Sequence, residues 1–312
     1  MEGVALADRR EVPGELRAGV AIVNYGSHAL VEQNHAHLGS DVHVVVVDNY
    51  SGASERAACA DLCVRRGWEF VPNENTGFGE GVNLGMSRLI AAGCNVLVTA
   101  NPDLQLSTEQ LCALAGRALA NPAALVAPQI VTPLGRPWGR LGVISIGEGR
   151  LYTHGDHPGS PRWLSGACLA ISAELWLRLG GFAPGYFMYW EDVDLSFRVQ
   201  KAGGSLLLAQ DIRVEHDAGG TQGGSTAKSW LFTYYNCRNR LVFAARNLTG
   251  RQQLVWVLTS AAELRRAIGR ANMPDLGSRL TRALPPAVLG TAAGLGRLLA
   301  GRVVGFVGRG RQ

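Results

Sequence analysis

Three carboxylates, Glu191, Asp192 and Asp194, stand directly behind the apolar run Tyr186–Trp190 in YFMYWEDVDLSFRVQKAGG. Aromatic side chains seek burial and carboxylates resist it, so the juxtaposition needs a reason. From about Asp192 to Ala202 the pattern is helical. Leu195, Val199 and Ala202 share one face, and Gly203–Gly204 stop the run. One acid is enough to cap such a helix and to answer its positive end. Three exceed that need. A carboxylate walled by aromatic rings loses solvation and becomes a better base, against the opposing pull of the helix end. Asp192 is the first candidate for proton abstraction and Glu191 the second.

A second set of polar groups closes the apolar runs. Asn24 and Tyr25 end GVAIVNYGS, Asp48 ends DVHVVVVDN, Asp103 follows NVLVTANP, and His216 ends SLLLAQDIRVEH. A lone Asp in such a place can simply cap the next helix. With Asp48 at a neighbouring strand end a functional reading gains weight: a hard divalent cation needs oxygen ligands and often bridges to substrate phosphates, so one Asp plus a diphosphate can form its site. His216 can face the same ion if its strand ends on the same edge. Other chemistries are excluded by spacing. NTGFGEG places Val82 where a dinucleotide fingerprint needs its third small residue, and no GK[ST] follows. The six cysteines make no CxxC and no zinc-type spacing, so Cys59 and Cys63 read as small buried residues in a helix. The HGDH run at 154–157 lies in a Gly/Pro-rich stretch and reads as solvated loop.

The elements that must position these groups alternate. Apolar strands are expected at 19–24, in 41–48, at WEFVPN, over NVLVTANPDLQL (95–106) and at AALVAPQIV. Between them lie a helix over SERAACADLCVRRG with Ser54 as cap and Gly67 as stop, a Gly-rich loop entering a helix after Asn75, and a helix opening at Ser107 or Thr108. Continuous apolar strands alternating with helices predict a mostly parallel sheet covered on both faces. Ligands of such sheets bind outside the carboxyl ends of the strands. Residues 133–162 read as a long loop with a hairpin, WLSGACLAIS as a strand, SAELWLRLGG as a helix and SLLLAQDIRVEH as a strand or strand pair.

Charge divides the 312 residues unevenly. From Arg246 to Gln312 eleven arginines face only Glu263 and Asp275, so the rest of a chain of formal charge +5 is mildly acidic. SWLFTYYNCRNRLVFAARN reads as an amphipathic helix, and apolar stretches broken by arginines follow it. Such a tail fits an anionic membrane surface, a homodimer interface or packing on the main domain; no nucleic-acid recognition module is visible in it. The first residues lack the apolar core of a leader, and no unbroken apolar run of eighteen occurs, so neither a signal peptide nor a membrane-crossing helix is expected.

Taken in order, VAIVNYGS, VVVVDNYSGAS, NENTGFGEGVNLGM, VLVTANPDLQL, WLSGACLAIS, GGFAPGYFMYWEDVDLSFRVQKAGG and VEH resemble the inverting GT-A glycosyltransferases of family 2. Their closest likeness is to the bacterial rhamnosyltransferase-like branch. The resemblance implies an α/β GT-A fold over 17–220, a loose segment over 1–16 and a basic helical extension over 221–312. It implies that Asn24, Tyr25, Asp48, Asn75, Gly77, Asn83, Asn101, Ser165 and Gly166 line the nucleotide-sugar site. Asp48 would accept the imide N–H of uracil or thymine. Asp103 and His216 would hold Mg or Mn with the diphosphate. Asp192 would be the general base, with Glu191 and Asp194 orienting it or the acceptor. Asn101 stands where the family's DxD has its first acid, and the QxxRW of processive enzymes is missing, so single addition is expected.

The implied reaction moves a sugar from a nucleotide-sugar donor, dTDP-rhamnose or a UDP-sugar, to a glycolipid or lipid-linked saccharide with inversion. The implied setting is the cytoplasmic face of a cell membrane, with no nucleic-acid partner. A soluble transferase acting on a secondary metabolite and a silent sugar-nucleotide-binding protein are the alternatives.

Overall fold

A computed structural model describes residues 15–137, 141–155, 157–216, 230–270 and 276–309. The expected loose segment lies largely outside these residues, and so do Asp156 of the HGDH run and the expected boundary at 220/221.

The first half alternates as the apolar runs require. β1 (Ala18–Asn24), β2 (His43–Asn49), β3 (Glu69–Asn73) and β4 (Val96–Ala100) are separated by α1 (His28–His35), α2 (Ala53–Arg66) and α3 (Phe78–Ala91). β1 and β4 are buried at every residue, which is why they read as unbroken apolar runs and not as alternation. α2 stops at Gly67 in the left-handed conformation as expected, but it begins at Ala53 behind Gly52, so Ser54 lies inside its first turn. Then come β5 (Leu104–Gln105), α4 (Thr108–Ala120) and β6 (Ala124–Val131). α4 is closed by a capping box between Ser107 and Gln110.

The expected loop of 133–162 contains a small sheet, β7 (Gly142–Ser145), β8 (Arg150–Tyr152) and β9 (Arg162–Trp163), in the order β8-β7-β9. β10 (Cys168–Ser172), α5 (Ala173–Leu179), α6 (Glu191–Lys201) and β11 (Ser205–His216) complete the main fold. β11 is one strand with an irregularity between Ala209 and Arg213.

The large sheet runs β3-β2-β1-β4-β10-β6-β11-β5, with all but β10 and β5 pointing the same way. The carboxyl ends of β1, β2, β4 and β11 thus share one edge. β10, being reversed, starts there.

The tail is helical: α7 (Trp230–Asn247), α8 (Gly250–Leu258), α9 (Ser260–Arg270), α10 (Leu276–Arg282) and α11 (Leu284–Arg309). α11 lies against α7 where Gly290 and Gly294 meet the backbone of Tyr234 and Arg238; a Cβ at Gly290 would sit 2.2 Å from the Tyr234 carbonyl oxygen. Interrupted by arginines though it is, Leu280–Ala300 is long and apolar enough, by length and composition, to cross a bilayer, and 33% of that stretch is buried inside the molecule. The expectation of no such helix is corrected to that extent.

Two apolar cores cover the faces of the large sheet, and a third lies beside them. The third joins Tyr186, Trp190 and Val193 to Phe243 and Trp256 of α7 and α8. The tail therefore builds the wall behind the YFMYW run. Tyr186 and Trp190 are core residues there, whereas Phe187, Met188 and Tyr189 are only half-buried.

Candidate active site

Asn24 and Asp48 are register partners at the ends of β1 and β2. Asn24 Nδ2 donates to Asp48 Oδ1 at 2.9 Å, and its Oδ1 accepts the N–H of Ser27 at 2.9 Å, which turns the chain into α1. Arg56, in the first turns of α2, donates from Nε to Asp48 Oδ2 at 2.8 Å and from its guanidinium to the Asn73 carbonyl. A fully buried carboxylate needs such a countercharge. Asp48 thus has both oxygens engaged and no exposed surface, and it anchors the edge from behind. What this corner offers to solvent is Tyr25, 57% exposed, Tyr50, 41% exposed and lying under Arg56, and the exposed Asn75.

The Gly-rich loop is fixed from both sides. Gly77 takes φ +103°, and a Cβ there would lie 2.3 Å from the Phe187 carbonyl oxygen, so only glycine lets this loop lie against the YFMYW run. Phe78 N–H donates to that carbonyl, and Asn49 Nδ2 donates to the Gly77 carbonyl. Asn83 departs from its expected role. Its amide donates to Phe182 O and accepts from Phe182 N, both at 2.9 Å, so its side chain is spent on clamping backbone.

The NPD turn is held by α1. Asn34 Nδ2 donates to Pro102 O at 2.9 Å and His35 Nε2 to Asn101 O at 3.1 Å. Burial lowers the His35 pKa to about 4, so this imidazole is neutral and carries its proton on Nε2. Asn101 N–H donates to Ala167 O, tying the turn to the start of β10. Asp103 Oδ1 lies 3.0 Å from His216 Nε2, both side chains being buried. That separation suits two neighbouring ligands of an octahedral ion, which stand about 3 Å apart when each bond is about 2.1 Å. No group of three or more His, Cys, Asp or Glu side chains with metal-binding geometry occurs among the described residues. The pair fits an ion completed by substrate oxygens, not a closed protein cage.

The three acids of α6 differ sharply. Asp194 is fully buried. It accepts from Arg198 Nε at 2.6 Å, Tyr186 Oη at 3.2 Å and Asn247 Nδ2 at 2.7 Å. It is engaged in a buried ion pair and two further hydrogen bonds, so of its two expected parts, orienting the acceptor or orienting Asp192, direct contact with an acceptor has no free oxygen behind it. Asp192 is part-exposed and has no basic partner. It accepts only backbone N–H groups, from Gly166 at 2.9 Å and Val193 at 2.8 Å. Loss of solvent raises its pKa, and those backbone donors oppose the rise. Gly166 allows the approach, since a Cβ there would stand 3.2 Å from the Asp192 Cβ. Glu191 is buried with Oε2 unpartnered, and burial, then the charge of Asp192, holds its carboxyl well above the usual range.

The backbone leading into these acids is strained. Tyr189 and Trp190 take φ of +67° and +77°, the only non-glycine residues with positive φ among those described. Each such residue costs about 1–2 kcal/mol. Trp190 N-caps α6 in this left-handed form without a side-chain cap.

Comparison with known proteins places this geometry. The glycosyl transferase family 2 profile matches residues 26–193, more than half of the chain. The chain belongs to that family. A stretch of 105 residues is 35% identical to an N-acetylglucosaminyl-diphospho-decaprenol L-rhamnosyltransferase of Mycobacterium tuberculosis, covering 33% of this chain and 33% of that protein. The match thus spans a third of the relative's length. Over 237 residues the chain is 22% identical to a low-salt glycan biosynthesis hexosyltransferase of Haloferax volcanii, covering 72% of this chain and 74% of the relative. Among solved structures it is similar to GalNAc-T7 with UDP, GalNAc and Mn2+ (TM-score 0.57, 16% identity, 85% of this chain and 54% of that one). It is also similar to a mannosyltransferase of Pyrobaculum calidifontis in complex with GDP-Man and Mn2+ (TM-score 0.53, 17% identity, 93% of this chain and 87% of that one). These similarities show the GT-A fold.

The family 2 match ends at Val193. His216 and every contact from α7 lie outside it. Sequence reasoning also missed Arg56 and His35, which hold Asp48 and Asn101, and Asn34, which holds Pro102 between Asn101 and Asp103. Their only local signal is a polar residue on the inward face of a helix.

Proposed function

We propose that the chain is a single-addition, inverting transferase that moves a sugar, rhamnose from dTDP-rhamnose first among donors, onto a hydroxyl of a lipid-linked saccharide. The observation that carries the reading is Asp192: a part-exposed carboxylate with raised pKa and no countercharge, held by the Gly166 N–H at the edge where Asp103 and His216 meet. Asp192 accepts the acceptor hydroxyl proton as the new O–C1 bond forms. The bond from C1 to the diphosphate oxygen breaks on the opposite face, and its electron pair leaves with the nucleoside diphosphate. Asp103 and His216 would hold Mg or Mn, and Asn101 lies beside them. Such an ion supplies charge to stabilise the leaving diphosphate. Asn75 and Tyr25, with Tyr50, border the corner for the base; Gly77 and Ser165 line the site between base and acceptor. The name of the rhamnosyltransferase relative supports the choice of donor and acceptor.

The tail supports a membrane-side setting on the cytoplasmic face. α8 and α11 expose Leu254, Leu258, Leu289 and Leu299, alongside Arg251 and Arg297. Apolar side chains set among arginines suit an anionic lipid surface.

The test is transfer from a panel of dTDP-rhamnose, UDP-glucose, UDP-GlcNAc and GDP-mannose to an N-acetylglucosaminyl-diphospho-polyprenol, with Mg or Mn. Product anomeric configuration is read by NMR. Inverted rhamnosyl product supports the reading. A product with retained configuration, or no turnover with any donor, removes it. Failure to float with anionic liposomes at low salt removes the membrane part alone.

A further inference from the structure

α7 carries YYNCRNRLVF, which the family 2 match does not reach, yet its polar residues converge on one short segment of the site. Asn239 is fully buried and uses both hydrogens of its amide on that segment, donating to Met188 O at 2.8 Å and Tyr189 O at 2.9 Å. Its Oδ1 accepts from Arg238 Nη1 at 2.5 Å, and Arg238 also donates to Gly185 O at 2.9 Å. Asn236 Oδ1 accepts the Trp190 indole N–H at 3.2 Å, and Asn247 reaches Asp194. These contacts bracket Tyr189 and Trp190, the left-handed pair. The Trp190 carbonyl in turn accepts the Asp194 N–H and so sets the first turn of α6, where Glu191 and Asp192 sit.

We propose that Asn239 is a positioning residue of the transfer reaction: its amide clamps the Tyr189–Trp190 turn in the left-handed form and thereby fixes where α6 presents Asp192. A non-glycine pair at positive φ relaxes unless its surroundings hold it. Two carbonyls in succession, those of the peptide planes on either side of the Tyr189 Cα, are oriented here by one side chain. A tilt at this turn swings the start of α6 relative to Gly166, the donor that fixes Asp192 Oδ2. Misplacement of a catalytic group by about 1 Å is enough to lower turnover by about 100-fold.

The inference rests on the transferase reading for its kinetic arm and not for its exchange arm. Asn239→Ala is expected to lower kcat about 10- to 100-fold with dTDP-rhamnose and the polyprenyl acceptor, and to leave the donor KM within about threefold. Asn239→Asp keeps the volume and can still pair with Arg238, but it has lost both donors; it is expected to show the same kcat loss. Amide hydrogen exchange should quicken in peptides covering 187–192 of either variant and stay unchanged in β2.

Tyr189→Gly separates a clamp from mere packing. Glycine takes a left-handed φ without strain, so adding it to Asn239→Ala should recover kcat about fivefold or more. A residue that only fills the core predicts the opposite, because the Tyr189 contact with Phe232 is lost as well. Unchanged kcat in Asn239→Asp, or a double variant no better than Asn239→Ala, overturns the proposal. Wild-type protein that transfers no sugar overturns the transferase reading instead. The exchange of 187–192 then judges the clamp alone, and unaltered exchange there sinks it.

Discussion

The carboxylates at the strand ends are buried, as are two of the three at the start of α6, where Asp192 is part-exposed, yet the protein keeps them by different means. Asp48 has Asn24 and Arg56, a countercharge, while Asp103 stands 3.0 Å from His216 in the candidate ion site. At α6, Asp194 has Arg198, Tyr186 and Asn247, while two residues away Asp192 has backbone N–H groups only, and Glu191 leaves one oxygen without any partner. A matched countercharge lets a buried carboxylate stay ionised and inert; without one, burial drives the proton affinity up. The difference separates acids that hold the molecule together from acids that can exchange a proton at a working pH. It also ranks three neighbours that look equivalent in EDVD.

The sharpest way to break this comparison is to neutralise one acid from each class. Asp192→Asn should cost turnover by about 10²- to 10⁴-fold, the usual contribution of a general base, with binding of dTDP or UDP retained in calorimetry. Because burial raises the Asp192 carboxyl, the wild-type rate should fall with acidification from above the ordinary carboxylate range, as the base takes up its proton. Full turnover in Asp192→Asn would remove it as the base.

Asp194→Asn tests the other class. It strips the Arg198 guanidinium of its ion-pair partner in a buried site, a change that costs about 3 kcal/mol or more. Chemical denaturation should show that loss, while kcat per folded molecule stays near wild type at a temperature where the variant is folded. A variant that stays stable but loses turnover would place Asp194 with Asp192 and collapse the distinction.

Legibility in the sequence follows the same division. The strand-end half rests on local patterns: unbroken apolar runs for β1, β2 and β4, Gly67 stopping α2, Ser107 opening α4. Such signals lie within a few residues of the element they define. The α6 half depends on partners far along the chain. Nothing near Asp194 shows that Asn247 will reach it, and nothing in FMYW announces a left-handed pair held by Asn239. The reversed direction of β10 was hidden for a related reason, since an apolar strand buried on both faces reads the same in either direction. The hydrogen bonds of Asn83 and Asp48 to Phe182, Asn24 and Arg56 are not legible either, because which way a side chain spends its hydrogen bonds is decided by its tertiary neighbours.

Asn101→Asp sharpens the strand-end half. Asn101 follows β4 beside Asp103, and a second carboxylate there adds negative charge for a hard cation, whose affinity tracks ligand charge. The Mn2+ concentration for half-maximal turnover should fall by about 3- to 10-fold. An unchanged or higher requirement would mean that Asn101 does not face the ion.

The smallest effect concerns Glu191. Burial favours its neutral form, so the native state keeps that proton to a higher pH than the unfolded chain does. Between the ordinary carboxylate pKa and the raised one, the native state binds more protons, and stability therefore falls as pH rises through that window. Glu191→Gln cannot titrate. It also gives its site a neutral amide in place of a carboxylate whose Oε2 has no partner. The variant should gain on wild type as pH rises, with a Tm difference more favourable at pH 8 than at pH 5. If the difference runs the other way, Glu191 is ionised in the native state and must have a countercharge, and Asp192 would then be alone among the described acids of α6 in standing without one.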